Sequence, residues 1–105
     1  MLSGFLDTEG ILHECASWEH TSKATSIIKE MNISNINNGV EAEECLQKLG
    51  WLVVRNTDIY GLIGYLNDNG EVIYLSKAQK KWLEDNYEKL NYMQRECADD
   101  IIDRS

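Results

Sequence analysis

Two hydrophobic periodicities alternate along this chain, and that alternation limits it to the α+β class. Ala24, Ile27, Ile28 and Met31 fall at i, i+3, i+4, i+7, the stripe of an amphipathic helix. Trp51-Leu52-Val53-Val54-Arg55 is instead a short aromatic and β-branched run, the pattern of a strand. A chain that changes period this often within 105 residues reads as one α+β domain, residues 1–105, built from helices and antiparallel strands.

The order of elements follows from the punctuation. Gly4-Phe5-Leu6 and Ile11–Cys15 flank Asp7-Thr8-Glu9-Gly10, which predicts an N-terminal β-hairpin. A first helix is expected to begin between Ser17 and Thr21. It ends before Asn32–Gly39, a stretch with four Asn and a Gly. Val40–Leu49 reads as a second helix, with Ala42, Cys45, Leu46 and Leu49 on its apolar face and Gly50 as its C-cap. A three-stranded antiparallel meander is expected next, over Trp51–Arg55, Ile59–Leu66 and Glu71–Leu75, with Asn67–Gly70 as its second turn. The sequence leaves open whether hairpin and meander share one sheet.

The C-terminal tail is helical and carries two capping boxes. Ser76-Lys77-Ala78-Gln79 and Asn91-Tyr92-Met93-Gln94 each place a capping side chain three residues before a Gln, so the tail can divide into two helices. Trp18, Trp51 and Tyr60 are read first as core aromatics, with interface anchoring as the alternative.

Charge narrows the function. The net charge is −8, from 18 acidic and 10 basic residues. Direct nucleic-acid binding is disfavoured, because it rests on Lys and Arg neutralising phosphates. An acidic domain suits a basic protein surface, and otherwise its charge serves solubility. Candidate partner-binding residues are Glu41, Glu43 and Glu44 on the second helix, and Glu84, Asp85, Glu88, Asp99 and Asp100 in the tail. For each residue singly, a solvated helix face is the competing reading.

Three cysteines without disulfide spacing predict a reducing, cytoplasmic setting, and no apolar run is long enough for a membrane span. Cys45 and Cys97 lie on apolar helical stripes and read as core. His13, Cys15 and His20 are candidate metal ligands at a strand-to-helix junction, and a zinc there would be structural. The competing reading makes Cys15 a buried apolar residue, His13 a strand residue and His20 an exposed helix start. No nucleophile elbow, phosphate loop or HExxH is present, so the chain is read as non-enzymatic, with a small metal-dependent enzyme as the third choice.

Gly-Phe-Leu-Asp-x-x-Gly-x-x-x-x-Cys-x-x-x-x-His (Gly4–His20) and Gly-Val-Glu-Ala-Glu-x-x-Leu-x-x-x-Gly-Trp (Gly39–Trp51) resemble small proteins of Firmicutes phages and prophages. Leu-Ser-Lys-Ala-Gln-Lys-x-Trp-Leu-x-x-Asn-Tyr (Leu75–Tyr87) is similar in style to theirs. The resemblance implies that Cys15 and His20 are the recurring polar pair. Acidic phage proteins of this size include type II anti-CRISPR proteins, one described class of which binds a metal. It therefore implies an inhibitor that binds a CRISPR effector nuclease in the bacterial host and blocks DNA loading. The alternative is a prophage interaction or regulatory protein unrelated to CRISPR.

Overall fold

The computed structural model describes residues 2–56, 62–63 and 75–104. Strands β1 (Gly4–Leu6), β2 (Leu12–Glu14), β3 (Leu52–Val54) and β4 (Leu62–Ile63) form an antiparallel sheet in the order β2-β1-β3-β4. The expected hairpin and the first two expected meander strands therefore share one sheet, joined by the β1–β3 pair. The third expected meander strand and its Asn67–Gly70 turn lie outside the described residues, apart from Leu75, which is not in a strand. Tyr60 lies outside them too.

The hairpin forms because Asp7 organises its own turn. Its Oδ1 accepts from the backbone N–H groups of Glu9 at 2.9 Å and Ile11 at 3.0 Å, and its own N–H bonds back to Ile11 O at 3.1 Å.

Among the described residues, four α-helices cover the sheet: α1 (His20–Glu30), α2 (Gly39–Lys48), α3 (Lys77–Asp85) and α4 (Tyr92–Arg104). The α1 ladder stops at Asn32, whose φ of 57° is left-handed, and Asn35 repeats that geometry at 71°. Asn38 then caps α2, its Oδ1 accepting from Glu41 N at 3.0 Å. At the far end Gly50 N bonds Gln47 O and Trp51 N bonds Leu46 O, a Schellman motif around Gly50 at φ 93°. The expected C-cap is thus realised.

Side-chain alternation divides the strands between two cores. Phe5 and Val53 face Ala24, Ile27, Ile28, Ala42 and Leu46 of α1 and α2. Leu6, Leu52 and Val54 face the opposite way, onto Leu83 of α3, Ala98 of α4, and Leu90 in the segment between those helices. The sheet is therefore the middle of three layers. Cys45 and Cys97 are half-buried against these two cores, as their stripes predict.

Two glutamines lock the third layer to the middle one. Both capping boxes form: Gln79 N and Gln94 N donate to Ser76 Oγ (3.1 Å) and Asn91 Oδ1 (2.8 Å), and each Gln Oε1 accepts from its cap residue's N–H. The amide nitrogens then reach the strands. Gln79 Nε2 donates to Leu6 O at 3.2 Å and Gly50 O at 2.8 Å. Gln94 Nε2 donates to Leu2 O and Arg55 O, both at 2.8 Å. One amide joins the last residue of β1 to the turn entering β3, and the other joins the segment entering β1 to the residue after β3.

Candidate functional site

The predicted metal-ligand triad lies on the α1/α2 side of the sheet, but its members have different surroundings. His13 is in register with Phe5 and shares its face, as alternation predicts. Its ring lies 4.9 Å from that of Trp51, and its Nε2 is 2.9 Å from Asp7 Oδ2. Partial burial pulls the Asp7 carboxyl upward. The His13 bond and the Ile11 and Glu9 N–H groups outweigh it and hold Asp7 below its ordinary value.

Cys15 is half-buried against the α1/α2 core. Its backbone is pinned to Ser3, whose hydroxyl donates to Cys15 O and whose own O accepts from Cys15 N. Burial, helped by Glu19, pushes the thiol up, so it stays protonated at neutral pH and is a poor nucleophile.

His20 departs from the exposed helix start expected of it as a non-ligand. It is 3% exposed, with its ring edge-to-face on Phe5 at 5.1 Å. Neither ring nitrogen has a hydrogen-bond partner among the described residues. Burial, then the nearby Arg55 charge, lower its pKa to about 4. These orphaned nitrogens are the feature that suits a metal. Among the described residues, however, no three His, Cys, Asp or Glu side chains come together as a ligand set.

A buried neutral imidazole has a measurable consequence. Between about pH 6.5, where the unfolded histidine titrates, and about pH 4, the unfolded chain binds a proton that the folded chain refuses. Stability is therefore complete above this window and falls as pH drops through it, by about 2–3 kcal/mol. Denaturant midpoints at pH 7 and pH 4.5 should show this loss, and His20→Leu should remove most of it. Asp7 titrates below that window and does not confuse the readout.

The predicted partner-binding carboxylates separate into two groups. Glu43 is not available: its Oε2 holds Arg55 at 2.8 Å, with the Glu43 side chain 12% exposed. Glu41 is half-buried and accepts from Asn37 N at 2.8 Å, closing the α2 entry. Glu44, Glu84, Asp85, Glu88, Asp99 and Asp100 are exposed.

On α4 the exposure is ordered. Gln94 and Ala98 are buried, whereas Tyr92, Glu96, Asp99 and Asp103 occupy i, i+4, i+7, i+11 on the outer face, all exposed. Asp99 accepts from the Tyr87 hydroxyl at 3.2 Å. A bond to Glu96, then that carboxylate's charge, raise the Tyr92 phenol. Glu96 and Asp103 are not among the candidate residues read from the sequence; the helix register aligns them with Asp99. Trp18, expected in the core, is 84% exposed. It sits in a 3-10 turn, Ser17–Glu19, whose neighbour His20 takes the buried place.

No described helix is long and apolar enough to cross a membrane. No family model, curated protein or solved structure matches this chain.

Proposed function

We propose that this chain is a non-enzymatic binding protein that docks the outer face of α4 onto a basic protein surface. The observation that carries this reading is the row Glu96, Asp99, Asp103, three exposed carboxylates on one face of a helix fixed by the Gln94 amide. Successive members rise about 4.5–6 Å along the axis. A rigid row of negative charge at that spacing suits a groove built to hold phosphates.

The proposed partner is a type II CRISPR effector nuclease, whose guide–target duplex lies in a positively charged channel. Occupying that channel blocks DNA loading without any chemistry by the inhibitor. The protonated Cys15 thiol supports a binding role over a thiolate enzyme. A structural zinc rests on Cys15 and His20 alone and takes no part in this mechanism; metal content of wild type and Cys15→Ala/His20→Asn protein tests it.

The docking reading predicts strong salt dependence. Affinity for the guide-loaded effector should fall at least tenfold between 50 and 300 mM salt, measured by calorimetry. Glu96→Gln/Asp99→Asn/Asp103→Asn should weaken binding by a similar factor at low salt and leave the melting temperature unchanged. A salt-independent affinity would count against charge-led docking.

A further inference from the structure

The acidic row does not account for two large aromatic side chains left in solvent, Trp18 at 84% and Tyr92 at 73% exposure. Both sit on fixed backbone, and the same residue fixes them. The Ser17 hydroxyl, one residue before Trp18, donates to Asn56 O at 3.2 Å. The Asn91 side-chain amide, one residue before Tyr92, donates to Asn56 Oδ1 at 2.7 Å. On the far side of Trp18, His20 is buried; beyond Tyr92, Gln94 is buried. Each aromatic residue is therefore pinned on both flanks, and Asn56 brings the two to the same end of the sheet.

Burying an aromatic side chain is favourable, and this arrangement forgoes that twice. Carboxylates adjoin both: exposed Glu19 follows Trp18 in the chain, and Glu96, one helical turn after Tyr92, is hydrogen-bonded to its phenol. An exposed ring beside carboxylates matches a guanidinium, which stacks on the aromatic face while its N–H groups reach the acid. Lysine offers the charge without the planar fork. A second copy of this chain is a poor occupant, since each carries a net charge of −8.

We infer that Trp18 and Tyr92 are twin docking anchors for an arginine-rich surface on a protein partner. The inference rests on the acidic-docking reading and adds the residues that supply anchoring beyond charge. Its test is calorimetric titration of the guide-loaded type II effector with wild type, Trp18→Ala, Tyr92→Ala and the α4 triple neutralisation variant. Each aromatic variant should bind at least tenfold more weakly, with its melting temperature unchanged. Trp18→Phe should recover part of the loss. Aromatic variants that bind within twofold of wild type, while the triple variant is weakened, would overturn the anchors and leave acidic docking standing. A wild-type chain that fails to bind would sink both.

Discussion

Gln94→Glu should destabilise this protein more than most single exchanges of equal size. The glutamate keeps the oxygen that accepts from Asn91 N, so the α4 cap survives. It loses the amide that donates to Leu2 O and Arg55 O, and it sets a carboxylate against both carbonyl oxygens at a fully buried position. An uncompensated buried charge of this kind costs about 3–5 kcal/mol. Gln94→Met, which orphans the same carbonyls and also removes the acceptor for Asn91 N but adds no charge, should cost about 2–3 kcal/mol. The pH dependence separates the two causes. The glutamate's pKa is raised in the folded state, so its excess penalty is absent below about pH 4.3 and grows as pH rises through the folded value. Gln79→Glu should behave alike through Leu6 O and Gly50 O. Urea midpoints at pH 5 and pH 7, each relative to wild type, check both positions. Equal penalties at the two pH values would contradict the buried-charge account.

Gly4→Ala should be of comparable severity for a different reason. Gly4 has φ +144°, where a side chain is strained, and it faces the neighbouring strand across the β1–β2 pair. An added Cβ would lie 2.2 Å from His13 O and 2.9 Å from Glu14 Cα, both backbone atoms that no rotamer change can move. Relief requires β2 to separate from β1, which breaks the hairpin and takes His13 from its place beside Phe5. The expected cost is about 3–5 kcal/mol. That corresponds to a melting temperature lower by roughly 15–30 °C for a domain of this size. Amide exchange should quicken first over Leu12–Glu14. A wild-type melting temperature would mean that β1 and β2 do not approach in this way.

These two positions show what the sequence could and could not reveal. The period changes, the Asn-rich break, Gly50 and both capping boxes were legible because each is a local signal with its own physical cause. The amide bridges were not. A capping box asks of its third residue only an oxygen, which Glu supplies as well as Gln. In both boxes the Gln nitrogen has a second task, and its targets lie 29 to 92 residues away in the chain, beyond the reach of a local signal. The joining of hairpin and β3 was open for the same reason: β1–β3 pairing is long-range and leaves no turn signature.

The site was legible in part. Alternation along residues 11–15 puts His13 and Cys15 on one side, and both lie on the α1/α2 side of the sheet. His20 could not be foreseen as buried, because its orphaned nitrogens break the rule that buried polar atoms are paired. Trp18 and His20 exchange the places that their hydrophobicity suggests. Glu43 has the same local pattern as exposed Glu44, and only the long-range Arg55 partner sets it apart. The α4 row depends on the helix starting at Tyr92, which sets the phase of Glu96, Asp99 and Asp103.

The most direct test of the docking account is DNA cleavage by a reconstituted type II effector, with this protein added before guide, after guide or after target. The account predicts inhibition when the protein precedes DNA and little once target is bound. It also predicts relief by Glu96→Gln/Asp99→Asn/Asp103→Asn. Full cleavage in every order of addition, at low salt and with excess protein, would contradict it.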